Sequence, residues 1–156
     1  VINLHHLDSE VAESISKIKK PITYSENEIT PNISALHKIL IEAANLSELK
    51  KFYENHIALK DRSNQKWKSI KYFEFLLSHN IPDKTEVKEL ISPLYILNDL
   101  RIIYFHLLPS EDVNKLKENI ITTLNLKNFE ESEVLYKSLM SKLNDLYSKF
   151  VTVYPN

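Results

Sequence analysis

The sequence contains no glycine among its 156 residues. Glycine adopts positive φ without steric cost and lets the backbone come close to a bound phosphate. Walker-type phosphate loops, dinucleotide-binding fingerprints, nucleophile elbows and EF-hand loops all depend on it, so the sequence excludes them. Two-residue hairpins built on Asn-Gly or Asp-Gly are excluded as well. The absence of glycine therefore argues against an all-β fold.

The composition is that of a globular chain with no general affinity for polyanions. The length fits one domain, large enough to bury a core without disulfides or metal. Hydrophobic residues make up 43% of the chain and the formal net charge is −1, so binding to nucleic acid would require a local basic patch. We expect no membrane association, because no apolar run reaches the roughly 18 residues that a membrane span needs.

The cysteine count and the first residues bear on compartment and processing. The chain has no cysteine, which suits a reducing compartment, and we therefore expect a cytoplasmic protein. It begins with Val1 and Ile2 and has neither an initiator Met nor a signal sequence, which suggests a processed or excised piece. No carboxylate or cysteine follows His5 and His6 at ligand spacing, so we predict no metal site there and interpret this segment as a frayed terminus.

Caps and prolines divide the chain into amphipathic helical segments. Proline is favoured in the first turn of a helix, so we predict helices that begin at Pro31 and at Pro93, the second ending before Pro109. A short helix from Thr85 to Ile91 precedes Pro93. The sequence as a whole predicts an all-α bundle of six or seven helices with at most trivial strand content. Other predicted starts are near Ser9, Ser47, Arg62, Ser110 and Asn128, which with Pro31 and Pro93 makes seven helices besides the short one.

Arg101 and His106 are the strongest functional candidates. Arg62 and Arg101 are the only arginines, so eighteen of the twenty basic residues are lysine. Where arginine is so rare, one inside an apolar stretch suggests that a planar cation with several donors is required. Four residues separate Arg101 from His106, and all four are apolar or aromatic: Ile102, Ile103, Tyr104 and Phe105.

A helical projection places these two residues near the edges of one polar face. At about 100° per residue, Asn98, Asp99, Arg101 and His106 fall within an arc of roughly 160°. The projection separates Arg101 from His106 by about 140° and about 7.5 Å along the axis, so both could reach a phosphodiester that lies across the face. Apolar side chains share this face and require a cover, either another helix or a second subunit in a two-fold dimer. They are Tyr95, Ile102 and Phe105.

The segment Leu97-Asn98-Asp99-Leu100-Arg101-Ile102-Ile103-Tyr104-Phe105-His106 resembles the signature of the HEPN superfamily (higher eukaryotes and prokaryotes nucleotide-binding). The resemblance covers residues 47–152 as a HEPN-like core within a single helical domain, 1–156, and leaves 1–46 as an N-terminal helical extension. It implies a helical bundle, a homodimer, and a metal-independent endoribonuclease of a toxin, antiphage or RNA-processing system. Arg101 and His106 match the family's catalytic positions.

In the enzyme that this resemblance implies, no metal or other cofactor is needed. His106 would move a proton at the ribose 2′-OH or the leaving 5′-oxygen, and Arg101 would stabilise the charge on the phosphorane. Tyr95, Asn98 and Asp99 would support the cleft. The partners we expect are RNA, a second copy of the chain and a protein that neutralises the activity.

A basic segment before and within the fourth predicted helix is a weaker candidate for binding RNA. Lys66, Lys68 and Lys71 alternate with Trp67 and Tyr72. Such a pattern could contact an RNA backbone. It is equally that of an amphipathic helix whose lysines are solvated while its aromatic residues pack inward.

Other interpretations of the main pair remain open. Arg101 could form an ion pair with an acid of a neighbouring helix, and His106 could be a cation at the carbonyl end of its helix. The chain would then be a non-catalytic all-α interaction or dimerisation module that binds a partner through Tyr95, Ile102 and Phe105. The direction in which Arg101 points, into an open cleft or into an ion pair, bears on this choice.

Overall fold

The structure, a computed structural model, describes residues 2–62 and 66–154. Seven α-helices account for most of them, and the only bridge between extended segments within these ranges is an isolated one from His5 to Ala44. The predicted all-α bundle is confirmed for this part of the chain. The helices are α1 (Ser9–Lys17), α2 (Glu26–His37), α3 (Leu46–His56), α4 (Ser69–Asn80), α5 (Lys84–Tyr104), α6 (Ser110–Leu124) and α7 (Ser132–Val153), with a π-helical turn at Lys38–Glu42 and a 3₁₀ turn at Leu59–Asp61.

Helix α5 is the central element of the bundle and packs against α2, α4, α6 and α7. Its buried residues lie at helical spacing: Leu94, Leu97 and Leu100 are fully buried, and Ile103 is nearly so. Burying a leucine side chain contributes about 1.5–3 kcal/mol, so this stripe anchors the core. The core continues into α2 and α7, which brings segments that are far apart in sequence against the helix that carries Arg101.

The expectation that prolines start two helices is wrong at both sites. Pro31 lies inside α2, and α5 begins at Lys84, where the side chain of Asp83 caps the helix by accepting from the Thr85 N–H at 2.8 Å. Pro93 removes an N–H that would bond to the Glu89 carbonyl. The hydroxyl of Ser92 donates to that carbonyl at 2.7 Å instead. The helix therefore continues through Pro93, and two predicted helices are one.

Helix α5 ends at Tyr104, earlier than the predicted end before Pro109. The N–H of His106 bonds to the Ile103 carbonyl (3.2 Å) and the N–H of Leu107 to the Ile102 carbonyl (3.1 Å), and His106 has φ 51°. These two bonds around a left-handed residue form a Schellman motif, in which glycine is the most common residue. His106 therefore lies outside the helix, and the helical projection does not apply to it.

The N-terminal segment is anchored to the bundle, so its interpretation as a frayed terminus is wrong. The Nε2 atom of His5 lies 3.2 Å from the Leu40 carbonyl oxygen and 3.1 Å from the Tyr147 hydroxyl. The His5 ring stacks on Phe73 with 5.5 Å between centroids. The N–H of His6 bonds to the Ala43 carbonyl at 2.8 Å. These contacts tie the chain start to the π-helical turn, α4 and α7.

Across residues 2–62 and 66–154, no helix is both long enough and apolar enough to cross a membrane.

Candidate functional site

The predicted polar face of α5 is half-buried and borders α4 and α6. The Tyr95 hydroxyl donates to Glu74 Oε2 of α4 at 3.2 Å, and the same oxygen accepts from Lys71 Nζ at 2.7 Å. Burial, followed by the charge of Glu74, raises the pKa of Tyr95. The hydroxyl of Tyr95 is therefore a protonated donor near neutral pH and holds Glu74 in place.

Asp99 lies beside Asn98 on the α6 side of this face. Burial raises the pKa of the Asp99 carboxyl, and hydrogen bonds with Asn98 and with Asn119 of α6 act in the opposite direction. The neighbouring amides of Asn98 and Asn119 thus favour the charged form of the Asp99 carboxyl, in opposition to burial.

The guanidinium of Arg101 forms an ion pair with Glu42, the last residue of the π-helical turn. Arg101 Nη2 lies 3.3 Å from Glu42 Oε1, and the two side chains are 39% and 45% exposed. The contact thus joins the surface of α5 to the segment after α2. Because both partners remain in contact with solvent, water and salt screen the pair, and a competing anion could reach Arg101.

His37 connects Glu42 to Asn98 beneath this ion pair. Its Nδ1 lies 3.0 Å from Glu42 Oε1, and its Nε2 lies 3.4 Å from Asn98 Oδ1. Burial lowers the pKa of His37 and the nearby positive charge of Arg101 also lowers it, while hydrogen bonds with Asn98 and Glu42 raise it. A neutral imidazole has one N–H, so it can donate to only one of the two oxygens.

The π-helical turn explains how His37 and Glu42 meet. Their positions are five apart in the sequence, a spacing that places two side chains on different faces of an α-helix. In the turn, the Ala43 N–H bonds to the Lys38 carbonyl at 2.9 Å, a pairing of residues five apart. The wider turn brings His37 and Glu42 to the same side, facing α5. Turns of this kind are frequent at functional sites.

His106 lines a pocket whose described lining residues do not include Arg101. That pocket has a volume of about 460 Å³ and lies between the end of α5, the start of α6 and the start of α7. Burial, and to a smaller extent the charge of Glu26, raises the pKa of Tyr104 to about 12. The Tyr104 side chain in the pocket wall is therefore a neutral phenol. Lys117 Nζ lies 5.0 Å from the ring centre of Phe129 in the same wall.

The structure brings together some of the predicted site residues and separates others. Tyr95, Asn98, Asp99 and Arg101 lie along one side of α5, where α4, α6 and the π-helical turn meet it. The pocket that His106 lines includes none of these four residues. Within one copy of the chain, Arg101 is paired with Glu42 of the π-helical turn, whereas His106 lines the pocket at the end of α5.

In the basic segment before and at the start of α4, the lysines face solvent and the aromatic residues pack inward. Lys66 and Lys68 are exposed in the segment before α4, and Lys71 is paired with Glu74. The Trp67 ring packs against Tyr53, at 4.6 Å between centroids, and against Tyr72, at 5.5 Å. The aromatic residues thus pack together, and the three lysines are exposed to solvent.

Sequence reasoning missed His37 and Glu42. Their spacing carries no α-helical signal, because only the π-helical turn aligns them. The one available hint was general, namely that an arginine within an apolar stretch needs an acidic partner. Separately, the described residues hold no group of three or more His, Cys, Asp or Glu side chains suited to a metal ion.

Comparison with known proteins gives no match: no family model matches the sequence, and neither the search of curated proteins nor the search of solved structures found a significant one. The resemblance to HEPN proteins therefore depends on the motif residues themselves.

Proposed function

We propose that this chain is a HEPN-like, metal-independent endoribonuclease that cleaves RNA through the substrate's own 2′-OH. One observation carries the proposal. Both motif side chains remain accessible at the same end of α5, with Arg101 39% exposed and His106 exposed. The resemblance suggests a toxin, antiphage or RNA-processing system as the setting, with a protein partner that neutralises the enzyme.

The backbone position of His106 supports a role beyond the fold. His106 has φ 51° at the end of α5, and Asn125 has φ 53° in the matching position at the end of α6. Asparagine tolerates this conformation because its short polar side chain can hydrogen-bond locally. Histidine is also found in this conformation more often than most residues, so the backbone tolerates it here. Its imidazole is exposed and is therefore available to move a proton.

Arg101 is held by an acid that a phosphate could replace. Glu42 is exposed enough that solvent screens the ion pair, and the pair costs little to open. A phosphodiester that binds Arg101 would exchange one anionic partner for another and keep the guanidinium neutralised. Arginine suits this exchange because its planar donors match the oxygens of a carboxylate and of a phosphate.

The separation of the two residues within one chain favours an active site shared between two copies. Leu107 and Leu108 follow His106 directly and are 52% and 43% exposed. Adjacent exposed leucines beside a pocket are unfavourable in water and mark a contact surface. A two-fold dimer through this surface would place His106 of one copy near Arg101 of the other.

The proposed reaction is a transesterification. The 2′-oxygen attacks the adjacent phosphorus as a base removes its proton, and the bond from phosphorus to the 5′-oxygen breaks. The leaving 5′-oxygen takes up a proton, so the products are a 2′,3′-cyclic phosphate and a 5′-hydroxyl. His106 would act as base or acid in these proton transfers. Arg101 would stabilise the extra negative charge on the phosphorane.

Cleavage assays with matched variants test the proposal. In EDTA, the wild type should cut single-stranded RNA, leave cyclic phosphate ends and leave DNA intact for lack of a 2′-OH. His106→Asn keeps a residue suited to positive φ and should lose cleavage with little change in thermal midpoint. Arg101→Lys should also lose cleavage, because an ammonium lacks the planar pair of donors. A wild type inactive on a broad RNA panel would refute the proposal.

Mixing inactive variants tests the shared site. If each site uses Arg101 from one copy and His106 from the other, a heterodimer of Arg101→Ala and His106→Asn contains one intact site and regains cleavage. If the mixture of the two variants remains inactive after subunit exchange, Arg101 and His106 of each site come from the same copy.

The Arg101–Glu42 contact favours a second candidate, a non-catalytic interaction module. In that case the network of Arg101, Glu42, His37 and Asn98 fixes the π-helical turn against α5, and the exposed residues near His106 bind a partner protein. This candidate is favoured if the wild type shows no cleavage and Arg101→Ala lowers stability strongly.

A further inference from the structure

A second, larger groove lies next to the site, in the N-terminal part of the chain. It has a volume of about 1030 Å³ and is bounded by the end of α1, the segment that joins α1 to α2, and α2 itself. Among the described residues that line it, Phe105, the residue before His106, is the one from outside residues 14–38. The groove therefore leads from the N-terminal extension to the end of α5, where the proposed catalytic residues lie.

The charge of this groove is positive, although the whole chain has a formal net charge of −1. Lys17, Lys19, Lys20 and Lys38 line it, and Glu28 is the only acidic residue among the described lining residues. Glu28 Oε2 accepts hydrogen bonds from three successive backbone N–H groups, those of residues 22–24, so its charge is already engaged.

Two of these lysines have acidic partners and two do not. Lys17 Nζ lies 2.7 Å from Glu13, and Lys38 Nζ lies 3.0 Å from Glu10, in pairs whose acids are more than 60% exposed. Lys19 and Lys20 form no salt bridge to any residue in 2–62 or 66–154. Exposed pairs of this kind exchange readily for another anion. All four cations are thus available to an anionic chain.

The charge of the groove favours a nucleic acid strand, because its four lysines match a chain that carries one negative charge per nucleotide. The groove also contains hydroxyl and amide side chains beside its apolar residues, and these could bind sugars and base edges. Phe105 is 44% exposed at one end and offers a ring face on which a base could stack. The polar groups that are not buried are Ser16, Asn27, Thr30 and Ser34.

We propose that this groove binds the single-stranded RNA that extends from the scissile phosphate. The lysines would contact phosphates, and Phe105 would stack with a base adjacent to His106. The inference deepens the proposed function and rests on it, because the strand bound in the groove is taken to be the RNA that the enzyme cleaves. It also gives the N-terminal extension a role, because residues 14–38 would supply most of the RNA-binding surface.

Binding should be measured separately from cleavage. The probe is a fluorescein-labelled 2′-O-methyl oligouridylate in EDTA, which cannot be cleaved by attack of its own 2′-oxygen, and the readout is anisotropy. Lys19→Glu combined with Lys20→Glu should weaken binding at least tenfold. Lys50→Glu with Lys51→Glu, also consecutive exposed lysines but in α3, should change it less than threefold. Circular dichroism should show that both double variants are folded.

Salt dependence and stacking supply further readouts. For a single strand, each phosphate that a lysine neutralises adds about 0.7 to the magnitude of the slope of log K against log salt. Lys19→Gln with Lys20→Gln should therefore reduce that magnitude by about 1.4. Phe105→Leu keeps the apolar volume but removes the ring, and it should weaken binding at least fivefold.

The outcomes separate this inference from the proposed function. Specific binding that disappears in the Lys19/Lys20 variants supports the groove even if wild-type protein cleaves nothing, and in that case only the nuclease proposal fails. Equal binding by wild type and Lys19/Lys20 variants overturns the groove even if cleavage occurs. If a labelled acidic amphipathic peptide binds through these lysines and the oligouridylate does not, the RNA assignment is wrong.

Discussion

Glu42 Oε1 lies 3.3 Å from Arg101 Nη2, so the end of the π-helical turn is paired with the residue that the sequence marks as the main functional candidate. The same oxygen lies 3.0 Å from His37 Nδ1. One carboxylate thus connects a half-exposed guanidinium to a buried imidazole. The free energy of this ion pair therefore bears on the role of Arg101. A strong pair would indicate a structural role, and a weak pair would leave Arg101 available to a ligand.

We predict that the coupling between Arg101 and Glu42 is weak. A double-mutant cycle of Arg101→Ala and Glu42→Ala should give about 0.2–1 kcal/mol, because both side chains are half-exposed and solvent screens them. Urea denaturation measures the free energy of unfolding for each variant. As a reference, Leu100→Ala in the buried stripe of the same helix should cost about 2–5 kcal/mol. A cost of about 3 kcal/mol or more for Arg101→Ala alone would indicate a structural role.

We predict that the protein loses stability as the pH falls below neutral. The pKa of His37 is lowered in the folded state from its ordinary value of 6.5, chiefly by burial, and so is that of His5. The unfolded chain therefore takes up protons at a higher pH than the folded chain. The stabilisation is complete above pH 6.5 and is lost as the pH falls from 6.5 through the lowered pKa.

Unfolding free energies at about pH 7.5, 6.5 and 5.5 test this linkage. His37→Gln and His5→Gln should each flatten the decrease, because glutamine keeps hydrogen-bonding groups but does not titrate. His56→Gln is the matched control, since His56 is exposed at the end of α3. A decrease that is identical in the wild type and in both buried-site variants would show that other groups cause it.

We predict that Asn32 is a structural residue of the groove wall. It is buried, its Nδ2 donates to the Lys19 carbonyl and to the Tyr136 hydroxyl, at 2.6 and 3.0 Å, and its Oδ1 accepts from the Lys19 N–H at 3.0 Å. Asn32→Ala should cost about 1–3 kcal/mol, because the partners are left unsatisfied. Thermal or urea unfolding measures the decrease in stability.

Asn144 provides the control for this prediction. It lies exposed on α7, and Asn144→Ala should stay within about 0.5 kcal/mol of the wild type. Equal effects of the two substitutions would contradict the structural role of Asn32.

We predict that the surface beside His106 forms a dimer contact. Leu107→Glu with Leu108→Glu should convert a dimer to a monomer, because charges would be buried in the contact. Light scattering at high protein concentration measures the mass. Val151→Glu, at a 70% exposed position near the end of α7, should leave the mass unchanged. A wild-type protein that is monomeric at high concentration would contradict the prediction.

The fold class could be predicted from the amino-acid sequence alone. Missing glycine excluded the turns of hairpins and phosphate loops, and caps together with amphipathic spacing predicted successive helices. These signals are local and regular, so they can be extracted from one chain. The helix starts predicted at the prolines were wrong. The rule behind them considers only the local sequence and does not include the Ser92 hydroxyl, which replaces the missing N–H of Pro93.

The arrangement of the candidate site depends on features that the sequence did not reveal. The partner of Arg101 depends on a π-helical turn that aligns His37 with Glu42, and no α-helical period predicts such a turn. The position of the His106 side chain depends on the left-handed backbone conformation that His106 itself adopts, two residues after the end of α5. The groove that ends at Phe105 requires α1 and α2 to pack beside α5, which joins segments far apart in the sequence. Such long-range contacts arise from packing of the whole chain, which local patterns do not encode.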